Sequence, residues 1–167
     1  MALSSVHWRE AWKYGERAYR YCQLDVGHAL AALRLSAAIH GWQVELISAC
    51  SDDQLESLID LKRKADFDNV EKEKPDLLVT IGPANNNRAG YNIDALIERL
   101  HNDTARWNGQ ANLLDPAPLY QWPTIDDVSH ACHKIVSEPR PENTGMARIS
   151  IKLCLVHHYI LPSHQTP

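Results

Sequence analysis

Three sets of side chains in this sequence have the type and spacing to do chemistry. Arg17 and Arg20 lie three residues apart in the run Tyr14-Gly15-Glu16-Arg17-Ala18-Tyr19-Arg20, and Arg88 sits in a polar run at 82–90. A guanidinium offers a planar fork of donors that suits phosphate or carboxylate, so each arginine is a candidate anion contact or a solvated surface charge. His28, in Asp25-Val26-Gly27-His28-Ala29, is either a donor that orients a ligand or a buried structural histidine. His130 and His133 form an i, i+3 pair with Asp126 and Asp127 one turn earlier, a spacing that can gather a carboxylate–histidine metal set. An amphipathic surface helix places such residues together by chance, and no metal site is expected. Glu16 and Asp25 are carboxylates whose spacing asks for no acid–base role, and His157 and His158 adjoin in an expected strand, pointing to opposite faces.

These groups need elements to hold them. Residues 6–18 read as a short amphipathic helix with Trp8 and Trp12 on one face. Asp25 reads as the N-cap of a second helix, with Val26, Ala29, Leu30, Leu33, Ala37 and Ile39 at near-helical spacing and Gly41 at the left-handed cap position. Ala29, Ala31, Ala32, Ser36, Ala37 and Ala38 leave little bulk around it, which predicts a central helix with close neighbours on most sides. A strand follows at 44–48, and Ser51 with Gln54 forms a capping box for a helix at 52–61 whose apolar stripe is Leu55, Leu58, Ile59 and Leu61. Next come a charged connector at 65–74, a buried strand at 77–81, a loop at 82–90 and a helix at 93–101. Prolines make 115–123 extended before a helix from 124 to about 136. Residues 138–143 read as a linker, and 149–156 alternate as a strand that would join the other two in a small sheet.

Composition narrows the function classes. The chain of 167 residues is long enough for one real core, and its 44% hydrophobic and 23% charged residues are ordinary for a globular protein. A net charge of −4 with no basic stripe argues against a nucleic-acid partner. Lys62-Arg63-Lys64 has acidic neighbours and reads as a solvated helix end. No apolar run approaches the roughly 20 residues of a membrane span, and residues 1–9 lack the apolar core of a signal peptide, so a cytoplasmic protein is expected. Cys22, Cys50, Cys132 and Cys154 are too scattered for a metal finger and read as small, partly buried thiols. No G-x-S-x-G, P-loop or G-x-G-x-x-G motif supports a hydrolase or nucleotide-binding reading.

The run from Tyr14 to Ala29, followed by a helix and Gly41-Trp42, resembles the middle segment of the nitroreductase-like flavoproteins. Within that family it is most similar to the SagB-type or ThcOx-type dehydrogenases. There, a Tyr/Asp-x-Gly-His-Ala motif opens the long central helix, and the next strand passes the isoalloxazine ring. Residues 44–47 look like that strand, 52–61 like the short helix after it, 76–82 like a strand ending in Ile-Gly, and 122–128 like the segment joining the halves of duplicated members. The resemblance covers about 6–135 and is most specific in its first third.

The resemblance implies an α+β (α/β) fold of the FMN-dependent nitroreductase type. A partial domain would span 1–136, with a linker and an unassigned tail at 137–167. It implies FMN at a dimer or pseudo-dimer interface and hydride transfer between a small-molecule substrate and NAD(P)H, with a second copy or a missing half as partner. The cofactor contacts it suggests are Leu46, Ile47, Ser48, Ala49, Arg17, Arg20 and His28. No catalytic residue is assigned. Two departures stand beside this: the family's Arg-Arg-Ser phosphate motif is absent, and Ala49 stands where a glycine is common. They keep a second expectation open, a catalytically inactive fragment that serves as a structural or dimerisation module.

Overall fold

A computed structural model of the chain describes residues 1–67, 70–83, 92–102 and 111–135. Three antiparallel strands, β1 (Ala2–Val6), β2 (Trp42–Leu46) and β3 (Glu73–Pro83), lie in the order β1-β3-β2. The 11 residues of β3 let it serve both neighbours: its first part pairs with β1 and its second with β2, Leu46 facing Val79 and Trp42 facing Pro83. The Met1 ammonium donates to the Val79 carbonyl, and Ile47 N–H donates to Leu78, so each ladder continues past its strand. The β1 register shifts between Leu3 and Ser4, where Ser4 faces Pro75 and Asp76 is left over on β3. Proline has no N–H for a ladder, so a register break belongs beside it. The extra residue is turned inward, and Asp76 accepts hydrogen bonds from Ser5 Oγ (2.6 Å) and Gln23 Nε2 (3.3 Å).

The third strand was expected at 149–156, but that segment lies outside the described residues and β1 is supplied by the opposite end of the chain. The helix expected at 6–18 is α1 (Trp8–Tyr14), followed by a 3-10 turn, Gly15–Arg17. Gly15 breaks the helix with φ 59°, ψ −138°, a backbone region open in practice only to glycine. Trp8 and Trp12 do not share an environment: Trp8 is half-buried, whereas Trp12 is exposed.

The Ala-rich helix α2 (Ala18–Ile39) starts seven residues before Asp25, so Asp25 is an exposed interior residue and not an N-cap. The preceding turn feeds α2 directly, and the helix continues through Gly27 at a cost of about 1 kcal/mol relative to alanine. Its C-terminus agrees with the sequence: Gly41 takes φ 70° just beyond the cap residue His40. The capping box is also present, with Gln54 N–H donating to Ser51 Oγ and Ser51 N–H donating to Gln54 Oε1, each at 3.1 Å. That helix, α3 (Asp52–Leu58), stops before Leu61 because Asp60 turns left-handed at φ 59°. A single turn, α4 (Lys64–Phe67), forms inside the expected connector. Helix α5 (Ile93–His101) falls where it was read, capped by Asn92 Oδ1 accepting from Ala95 N–H, and α6 (Pro123–Ala131) is shorter than expected.

Buried apolar residues form two clusters among the described residues, with Cys22, Ala37 and Val79 buried outside them. Cys50, Leu55, Leu58, Leu78 and Ile93 form one cluster, with Ile47, Ile59, Ile97 and Leu100 packed on it. Ala11, Ala18 and Ile125 form the other, against Tyr19 and Trp122. The fold is mixed α+β, with α2 laid against β2 and β3. Among the described residues, no helix is long and apolar enough to cross a membrane.

Candidate functional site

Helix α2 carries an apolar stripe on each of two faces. Ala18, Cys22 and Ala37 are buried on one of them, with Val26, Ala29 and Leu33 half-buried between. On the other, Leu24, Ala31, Leu35, Ala38 and Ile39 are exposed; Leu24 and Leu35 are each 51% exposed and Ile39 77%. Both stripes follow helical spacing, and the small residues Ala29, Ala31, Ala32, Ser36, Ala37 and Ala38 are what predict a helix packed on most sides. Among the described residues, one face is covered and the other is open, so the expectation of a central helix is corrected to a helix on one side of the sheet. Trp42 and Leu46 of β2 and Ile81 of β3 are also exposed apolar residues.

The seven residues suggested for a cofactor fall into two groups. Arg17 ends the 3-10 turn, Arg20 lies in the first turn of α2, and both are exposed with no hydrogen bond or ion pair among the described residues. His28 is exposed in the middle of α2, so it neither opens the helix nor sits buried as a structural histidine. Eight residues of helix separate it from Arg20, a rise of about 12 Å. Leu46 closes β2, Ile47 packs on the larger apolar cluster, and Ser48 and Ala49 are exposed. Part of this second group's backbone is already engaged. Ile47 N–H donates to Leu78, and Lys134 Nζ donates to the Ser48 carbonyl (2.5 Å) and the Cys50 carbonyl (2.7 Å). Arg88 lies outside the described residues.

The lysine is held there by a clasp at the start of α3. Lys134 N–H donates to Asp52 Oδ2 at 2.9 Å, and Asp52 N–H returns a bond to the Lys134 carbonyl at 3.0 Å. His133 bridges the same turn, with Nδ1 3.7 Å from Asp52 and Nε2 3.6 Å from Asp53. Carboxylates in a first helical turn also face the positive end of the helix dipole. His133 is therefore drawn to Asp52 and Asp53, while Asp126 pairs with Lys72 at 3.0 Å. The lysine Lys62 and then His133 hold the Asp53 carboxyl below its ordinary range. Nearby, burial and a hydrogen bond with Cys132 push the Tyr19 hydroxyl up to about 12. Burial likewise pushes the Cys22 thiol up to about 11, which keeps it protonated and unreactive, as expected for a small buried thiol. Cys132 is exposed, and Cys154 lies outside the described residues.

A cavity of about 390 Å³ that the sequence reading missed lies between α1, the approach to β3 and the segment leading into α6. Trp8, Tyr120 and Trp122 form much of its wall, with His7 and Ile125 beside them. The extended segment is tied in place by Glu71, whose carboxylate accepts from Leu114 N–H (2.8 Å) and Asp115 N–H (2.6 Å). Thr124 Oγ1 donates to Glu16 at 2.9 Å, and Trp122 lies so close over Gly15 that a side chain there would come within 3.2 Å of its ring. His7 is only 7% exposed. Its carbonyl accepts from Glu10 and Ala11 N–H, its ring meets Tyr19 edge-on at 5.2 Å, and its Nε2 is buried without a hydrogen-bond partner. Burial pushes this imidazole below its ordinary value of 6.5 against the pull of Asp76 and Asp126, which favours the neutral form. The available signal was the run of Tyr120, Trp122 and neighbouring prolines, but Trp8 lies more than 100 residues from them and only the fold brings it to the same wall.

Compared with protein-family models, curated proteins and solved structures, the chain matches none of them. The class defined by the fold is thus a mixed α+β domain with a three-stranded antiparallel sheet and an open helix face.

Proposed function

We propose that the chain is an FMN-dependent oxidoreductase of the nitroreductase type that acts as a pair of chains. A single chain does not fit the cofactor. Arg17, Arg20 and His28 stand along an open surface, and the Ile47 amide and Ser48 carbonyl are already bonded within the chain. A second copy on the open face of α2 would supply the missing wall. FMN, when bound, supplies hydride transfer, while the protein supplies placement and exclusion of water.

The observation that carries the reading is the second apolar stripe of α2, with Arg17 and Arg20 at the start of the same helix exposed and without a hydrogen bond or ion pair among the described residues. In a two-fold antiparallel arrangement about the midpoint between Ala29 and Leu30, Leu24 of one chain meets Leu35 of the other, Ala31 meets His28 and Ile39 meets Arg20, which brings two of the suggested cofactor contacts to the interface. The Tyr14–Ala29 resemblance adds the cofactor class. The absent Arg-Arg-Ser motif and the engaged backbone at 47–48 favour a second reading, a dimerisation module without a cofactor.

The test is an absorbance spectrum of the purified protein after FMN is added and the excess removed, fraction by fraction from a sizing column. The expected result is flavin retained in a fraction of twice the 18.9 kDa chain mass. Colourless protein in every fraction would overturn the enzyme reading; a colourless dimer would leave the module.

A further inference from the structure

We propose that the cavity between α1, the approach to β3 and the segment leading into α6 binds a small organic cation of the quaternary ammonium class, held by the aromatic wall and by the charge of Glu71. This inference does not rest on the flavin reading. At about 390 Å³ the cavity falls within the roughly 300–1,000 Å³ range of small-molecule sites. Trp8, Tyr120 and Trp122 contribute to its wall, and Tyr120 and Trp122 have ring centres 6.2 Å apart. Trp122 packs its ring over Gly15, where a Cβ would come within 3.2 Å, so the indole is set in place before any ligand arrives. Aromatic rings attract a cation through their quadrupole, indole most strongly, and their apolar surface suits N-methyl groups.

Charge selects the cation. Glu71, Lys72, Lys74 and Asp126 all line the cavity. Lys72 is paired with Asp126 at 3.0 Å, and Lys74 lies 3.8 Å from Glu56. Glu71 forms no ion pair among the described residues, and its carboxylate is met by the Leu114 and Asp115 amides at 2.8 Å and 2.6 Å. Burial pushes this carboxyl up, but those amides outweigh it, with a smaller pull from the more distant Arg9, and hold it below its ordinary range. Neutral amides orient the carboxylate without cancelling its charge. An incoming anion would meet lysines that already have carboxylate partners, whereas a cation would meet the one lining charge that has no ion-pair partner. The attraction between unit charges acts over several ångströms, so a cation seated on the aromatic wall feels it without touching the oxygens. A primary ammonium is strongly hydrated and brings N–H donors that need acceptors, and a quaternary one brings none.

The test titrates choline and its uncharged isostere, 3,3-dimethyl-1-butanol, into the full chain at low salt, with affinities read by ligand-observed NMR. The expected result is that choline binds about 10-fold more tightly than the alcohol. Glu71→Gln keeps an oxygen for the two amides and removes the charge, so it should weaken choline by about 3-fold or more and leave the alcohol within about 2-fold. Trp8→Ala should weaken choline by a similar factor. The proposal is overturned if choline does not bind, if the two probes bind equally well to the wild type, or if a folded Glu71→Gln or Trp8→Ala binds choline as the wild type does. Should Glu71→Gln not fold, salt decides with the wild type: a preference for choline that shrinks between about 20 mM and about 500 mM NaCl supports the site, and one that salt leaves unchanged overturns it.

Discussion

The two faces of α2 have similar chemistry and opposite surroundings. Toward the rest of the chain, Ala18 and Cys22 are buried, Ala18 with none of its surface exposed and packed with Ala11 of α1 and Ile125 of α6. Toward the outside, Leu24 and Leu35 keep half their surface and Ile39 more than that. Each stripe alone would make an ordinary amphipathic helix, and together they make one that a three-stranded sheet cannot cover. The difference teaches that periodicity reports how many faces want a partner and not how many find one in the same chain. Burying a leucine is worth ~1.5–3 kcal/mol, so an open stripe of this kind is a standing drive to associate.

The comparison breaks most sharply through its largest substitution. Leu55→Ala, in the cluster under α3, should cost about 2–5 kcal/mol in chemical unfolding, whereas Leu35→Ala on the open stripe should change the stability of the dilute monomer by less than about 0.5 kcal/mol. Equal losses would mean that the open face is covered in the monomer. Added bulk separates the two faces next. Ala18→Leu should lose about 1–3 kcal/mol by overpacking a site with no room, while Ala31→Leu should be tolerated in the monomer.

Capping gives a smaller contrast along the chain. Ser51→Ala should cost about 1 kcal/mol, because its hydroxyl accepts from Gln54 N–H. Asp25→Ala should cost under about 0.5 kcal/mol, because Asp25 is an exposed helix-interior residue and caps nothing. The smallest expected effect is a pH dependence. The folded-state value of His7 lies below its ordinary 6.5, so the unfolded chain binds the proton more readily and stability falls as pH drops through 6.5. His7→Phe should flatten that part of the profile in unfolding titrations from pH 7.5 to pH 5. A wild-type profile parallel to that of the variant would show that the imidazole is not held neutral by burial.

Sequence alone carried the features that are local. The Ser51–Gln54 box, the left-handed Gly41 after α2 and the helix at Ile93–His101 were legible because each is set by residues within a turn of one another. β1 was not, because Ala2–Val6 becomes a strand only by pairing with Glu73–Leu78, far along the chain. Asp25 misled for a physical reason: a strong capping residue is also tolerated on the exposed surface of a long helix, and α2 enters from the turn at Gly15 without needing a cap. Of the suggested site, the segment 46–49 and the arginines were named from a resemblance. The fold leaves them as separate groups, all exposed but Ile47, and adds one contact no local pattern contained, the reach of Lys134 to Ser48 and Cys50. The His7 cavity joins residues from 7 to 126, so neither period nor motif could announce it.

The open face is the centre of the functional reading, and sedimentation velocity with FMN present, read at protein and flavin absorbance together, addresses it directly. The wild type should sediment as a dimer with flavin in the same boundary, and Leu24→Glu/Leu35→Glu should sediment as a folded monomer without it. A wild type that stays monomeric and flavin-free, or a double variant that still dimerises and carries flavin, would contradict the assignment of this face as the interface that completes the site.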